Sequence, residues 1–194
     1  NLGALFTDYA RLDHIEAYTT EAAGASGAAA LRVAYLAIQS GYADTVAVLG
    51  VEKWSDVSRE EADALLSQEL DFDYEAIPGL NSAGEAALLM QRYLHEYNLP
   101  GDALAGFPIQ AHANAVTNPN ALFRKPLMAE TYASAPMLSD PLNIYDGAAY
   151  ADGAAALILT RRELLPKNFP HPIVRLLGSS VSVDTLAWHD RRDP

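Results

Sequence analysis

The residues that most constrain this chain lie between Ala17 and Lys53, AYTTEAAGASGAAALRVAYLAIQSGYADTVAVLGVEK. Tyr18 to Ala22 opens with β-favouring Tyr18, Thr19 and Thr20 and predicts a short strand. The small residues Ala23-Gly24-Ala25-Ser26-Gly27 then form a turn into a helix from about Ala28 to Ser40. Ala28, Leu31, Ala34, Tyr35 and Ile38 recur at helical spacing and give that helix one buried face. Gly41 stops it, as glycine past a last turn commonly does. Thr45 to Val51 is a continuous apolar run, the mark of a strand covered on both faces in a parallel sheet. Strand, turn, helix and strand together predict a βαβ unit and an α/β fold.

The turn is also where chemistry would sit. A helix N-terminus presents unpaired backbone N–H groups and partial positive charge, which suits an anion or an activated nucleophile. Gly24 lies at the elbow, and Ala25, Ser26 and Gly27 keep it uncrowded. The residues alone equally allow a tight helix–sheet contact that needs small side chains. No GxxxxGK[ST] phosphate loop is present, and GASG is not the GxGxxG fingerprint.

Elsewhere, Asn1 to Ala10 predicts a helix with Leu2, Leu5, Phe6 and Tyr9 on one face. The acidic stretch from Asp56 to Glu75 reads as a solvated surface segment; its spacing matches no calcium loop. Asn81 to Tyr97 predicts a helix with Asn81 or Ser82 as cap and Glu85 in the capping-box position. Its expected buried stripe is Ala86, Met90, Tyr93, Leu94 and Tyr97. Gly101 to Ala115 suggests a helix interrupted near Pro108, and Met128 to Asp152 an ordered loop. Gly153 to Thr160 and Ile173 to Val183 read as strands, Arg161 to Phe169 as a surface turn, and Thr185 to Pro194 as the start of a helix. His112 sits among Asn114, Asn118 and Asn120 and is expected to be a hydrogen-bonded structural residue. The other histidines have no ligand at metal-binding spacing, so no metal site is expected.

A net charge of −12 over 194 residues argues against nucleic-acid binding, since no basic patch appears. No apolar run is long enough to cross a bilayer. The absence of cysteine excludes disulfides and fits a cytoplasmic setting.

EAAGASGAAALRVAYLAIQSGYADTVAVLGVEKWSDV resembles the nucleophile region of thiolases, particularly the sterol-carrier-protein-x type and archaeal relatives. NLGALFTDYA, HANAVTNPNALF and SDPLNIYDGAAYADGAAALILT resemble further segments of that family, in the same order. The resemblance implies a layered αβαβα fold of two similar halves, with coenzyme A thioesters as substrates and no separate cofactor. It assigns residues 1–55 to part of the first half, 56–145 to an inserted loop domain over the acyl-CoA, and 146–165 to the last strand of that half. Residues 166–194 would begin the second half. It also places the family's nucleophilic cysteine on Gly24, with Ala25, Ser26 and Gly27 forming the helix N-terminus beside it. Glycine cannot carry an acyl-thioester. Three functions therefore remain open: an acyltransferase with its nucleophile replaced, a carbon–carbon lyase needing no covalent intermediate, or a non-catalytic acyl-CoA-binding subunit with an OB-fold partner.

Two further expectations follow from the resemblance. The family's first two strands have no counterpart here, so the sequence is expected to be part of a longer polypeptide or to be completed by another chain. The strand Tyr18 to Ala22 would have a free edge, so a homodimer is expected to pair these strands, with Glu21 near the interface.

Overall fold

The computed structural model describes residues 1–191. Its elements are α1 (Leu2–Tyr9), α2 (Ser26–Gln39), β1 (Thr45–Glu52), α3 (Arg59–Leu66), α4 (Ser82–Glu96), α5 (Gly106–Ala115), α6 (Ala129–Ala133), β2 (Met137–Ser139), β3 (Leu142–Asn143) and β4 (Gly153–Thr160). They fall into two units, one of Asn1–Glu52 with Gly153–Val183, the other of Lys53–Asp152 with the segment starting at Asp184.

In the first unit β1 pairs with β4 over its full length, from Thr45 opposite Thr160 to Glu52 opposite Gly153. The pairing is antiparallel. The expected βαβ unit of residues 18–22, α2 and β1 is not formed, for a separate reason. Its would-be first strand is missing: residues 18–22 join no ladder. Their backbone lies against α1 instead, where a Cβ on Gly3 would come within 3.0 Å of Tyr18. The Thr19 hydroxyl accepts from the Gly3 N–H at 3.3 Å and lies 3.2 Å from Asn1 Oδ1. Residues 173–183 likewise form no strand; they are held to α2 where Arg32 donates to the Ser179 carbonyl at 2.7 Å. Neither stretch has a strand beside it, and an extended segment without a neighbour cannot build a ladder.

The apolar run of β1 is not covered on both faces either. Val51 is 60% exposed, and on β4 Ile158 is 69% exposed, because two strands and α2 cannot enclose such a sheet. Helix α2 does bury Ala34 and Ile38 as its spacing predicts, and Gly41 follows at φ +74. On α1 the predicted apolar face is present, but Leu2, Leu5, Phe6 and Tyr9 are all exposed.

The second unit has a small core of Ala87, Met90, Leu94 and Leu142. The stripe on α4 is thus rotated by about one residue from the sequence reading, and Ala86, Tyr93 and Tyr97 are exposed. The two tyrosine rings pack on each other at 4.8 Å. Asn81 caps α4 by accepting from Gly84 N–H at 2.9 Å, whereas Glu85 turns away from the capping box to accept the Trp188 indole N–H. A complete capping box occurs instead at Ser58 and Glu61, at the start of α3. The acidic stretch is therefore structured, and Glu75 within it is only 5% exposed. Pro108 does not interrupt α5: it occupies the first turn, where its missing N–H is not needed. The expected loop of residues 128–152 contains α6 and the antiparallel pair β2 and β3. Trp188–Asp190 forms a 3-10 turn rather than the start of a longer helix, and residues 192–194 lie outside the described residues.

Candidate functional site

Gly24 sits in the 3-10 turn Ala23–Ala25, which runs directly into α2 at Ser26, two residues earlier than the apolar spacing suggests. Helix α2 reverses through residues 40–44 into β1 and packs on it, so the elbow lies toward the end where β1 finishes. Gly24 is exposed. Ala25 is the N-cap of α2 and offers no side-chain oxygen to its first N–H groups.

Ser26 and Glu21 shape this turn. The Ser26 hydroxyl donates to the Ala23 carbonyl at 2.7 Å and accepts from the Ala22 N–H at 2.9 Å. Glu21 Oε1 accepts from the Ala23 N–H at 2.5 Å. Gly27 has open space where a Cβ would stand, so smallness there is not forced by a close neighbour. The structure therefore brings Gly24, Ala25, Ser26 and Gly27 together at one helix start. The Glu21 carboxylate is the member that the sequence reading placed elsewhere. Its signal is a lone acid immediately before a run of small residues.

Other polar groups serve structure. His112 Nδ1 lies 3.2 Å from the Lys125 carbonyl, and its ring is stacked on Phe123 and edge-on to Tyr145. The hydrogen bond expected of His112 is present. Tyr132 donates to Asp146 at 3.0 Å, and burial together with that acceptor pushes its phenol up to about 12. Asp152 is held below the usual carboxylate range, first by the Ser55 hydroxyl and then by the Ser55 N–H. A groove of about 540 Å³ runs along α5, lined by Ala103, Gly106, Phe107, Gln110, Ala111 and Asn114. Among the described residues no three His, Cys, Asp or Glu side chains are placed to hold a metal, and no helix is long and apolar enough to cross a membrane.

Comparison with known proteins gives a consistent assignment. Residues 8–163 match the family described as Thiolase, N-terminal domain. The acetyl-CoA acetyltransferase of Methanothermobacter thermautotrophicus is 34% identical over 193 residues, covering 100% of this chain and 50% of that protein. The acetyl-CoA acetyltransferase of Methanocaldococcus jannaschii is also 34% identical over 193 residues, covering 98% of this chain and 48% of its own length. The chain thus spans about half the length of these curated relatives. The solved structure of an Ltp2-ChsH2(DUF35) aldolase aligns with a TM-score of 0.60 and 26% identity, over 73% of this chain and 36% of that one. With its α/β fold and a family match over most of its length, this chain is a member of the thiolase family.

Proposed function

We propose that the protein carrying this chain acts on acyl-CoA, making or breaking a carbon–carbon bond beside the thioester in a thiolase-type acyl transfer. The observation that carries this reading is the 34% identity to acetyl-CoA acetyltransferases across the whole chain. The elbow of residues 23–27 supports it, since the N-terminus of α2 can stabilise negative charge on a thioester oxygen. Gly24 occupies the position of the family's nucleophile, and this chain contains no cysteine. Acyl transfer on this chain would therefore proceed without an acyl-cysteine: the enolate carbon of one CoA thioester attacks the carbonyl carbon of another, whose C–S bond breaks to release CoA thiolate.

The likeness to an aldolase favours a second reading, lyase chemistry on a CoA thioester, which also needs no covalent intermediate. The name of that aldolase includes a DUF35 component, which supports an accessory partner such as an OB-fold acyl-CoA-binding protein. The homodimer expected through residues 18–22 loses its edge-strand premise, since those residues form no strand. The exposed apolar faces of β1 and β4 are instead surface that a second copy would cover. A cytoplasmic role in lipid metabolism goes with these substrates.

The test is to give the full-length protein acetoacetyl-CoA with CoA and, separately, a β-hydroxyacyl-CoA. Thiolysis supports acyl transfer, whereas aldehyde or ketone release from the hydroxyacyl thioester supports the lyase. Binding without turnover supports an acyl-CoA-binding subunit. Failure to bind any CoA thioester overturns all three. A Gly24→Cys variant that gains an acetyl mass increment from acetyl-CoA would support the assignment of the nucleophile position.

A further inference from the structure

Two side chains hold both backbone polar groups of the residue before Gly24. The Ala23 N–H is bound by Glu21 Oε1 at 2.5 Å, and the Ala23 carbonyl by the Ser26 hydroxyl at 2.7 Å. The same Glu21 oxygen lies 3.4 Å from the Ser26 hydroxyl, and the Ala22 N–H donates to Ser26 at 2.9 Å, closing a compact ring. Ala23 stands at φ +47, in the left-handed region. A non-glycine residue persists there only where its surroundings hold it. The dihedral angles of Ala23 decide where residue 24 points.

We infer that Glu21 is a positioning residue for the elbow: through the Ala23 N–H, and with Ser26, it fixes the direction of residue 24. What that direction serves rests on the acyl-CoA reading above. The carboxylate's charge would oppose an oxyanion at the elbow, so Glu21 contributes acceptor geometry rather than electrostatic help. A neutral side chain with the same oxygen should therefore replace it.

The test uses the full-length protein with Gly24→Cys as a reporter, since position 24 would then carry the one thiol in this stretch. Glu21→Gln and Glu21→Ala are each added, and alkylation of Cys at 24 by iodoacetamide is followed by mass spectrometry. Rates are compared on the high-pH plateau, where the thiol is fully ionised and charge effects on its pKa drop out. Glu21→Gln should stay within about twofold of the parent, while Glu21→Ala should slow alkylation by about tenfold or more. Ser26→Ala, which removes the other half of the ring, should slow it as well, with Ser26→Thr restoring it. Amide exchange at Ala23 should accelerate in Glu21→Ala but not in Glu21→Gln. Equal plateau rates in Glu21→Gln and Glu21→Ala would overturn the inference, as would faster exchange without any change in rate. Acetyl-CoA is supplied in parallel. If the protein binds no acetyl-CoA while iodoacetamide still separates the Glu21 variants, the acyl-CoA reading fails and the positioning role stands.

Discussion

Asp152 grips Ser55 twice, Oδ1 accepting from the Ser55 N–H at 2.9 Å and Oδ2 from its hydroxyl at 2.6 Å. The pair lies where the chain leaves β1 and where it returns toward β4, and Trp54 stacks on Tyr150 beside it at 5.0 Å. These bonds favour the charged carboxylate and lower its pKa. A lowered carboxylate pKa contributes stability above the ordinary carboxylate range, and that contribution is lost as the pH falls through the folded value. The melting temperature should therefore fall on acidification, and Asp152→Asn should flatten that acid limb. An unchanged acid limb in thermal melts of the variant would show that the grip does not contribute.

Tyr132 should act at the other end of the pH scale. It is 6% exposed and its phenol is raised to about 12, first by burial and then by the Asp146 carboxylate. The sign is opposite: stability is complete below about 10, the unfolded value, and is lost as the pH rises through about 12. Tyr132→Phe should remove this alkaline loss. At neutral pH it should cost about 1 kcal/mol, because Asp146 keeps the Asn143 N–H at 2.9 Å. Denaturant titrations at neutral and alkaline pH measure both effects.

Glu75 should be among the costliest acidic residues to remove. Its two carboxylate oxygens accept from Asp71 N–H at 2.9 Å and Trp188 N–H at 2.7 Å. Glu75→Ala strands both donors at a site only 5% exposed, for about 1–3 kcal/mol. Glu60→Ala, on the exposed side of α3, should stay within about 0.5 kcal/mol. Urea unfolding of the two variants decides between them.

The stripe on α4 can be tested by paired truncations. Met90→Ala opens the core and should cost about 2–5 kcal/mol. Tyr93→Ala removes a side chain that is 46% exposed and should cost about 1 kcal/mol. Similar losses in the two variants would mean that the tyrosine face is covered.

Much of this was legible in the residues themselves. Helical spacing identified α1, α2 and α4, glycine identified the end of α2, and the apolar runs identified β1 and β4. Those signals are local: side-chain period and turn chemistry act within a few residues. The elbow was legible for the same reason, because a run of Ala, Gly and Ser before a helical pattern marks a sharp start.

What only the tertiary structure decided depends on partners far apart in sequence. Residues 18–22 and 173–183 have strand-like composition but no strand beside them, and α1 and Arg32 take up their polar groups instead. Composition cannot report whether a neighbour exists. The antiparallel sense of β1 and β4 joins positions more than 100 residues apart, which no local pattern encodes. Glu85 had the spacing of a capping box yet went to Trp188, because a distant indole N–H offered a partner that the helix end did not require once Asn81 had capped it. At the elbow the sequence determined that a turn would form. The positive φ of Ala23, with the Glu21 and Ser26 side chains closing on it, is a local arrangement too, but one that side-chain period and composition do not encode.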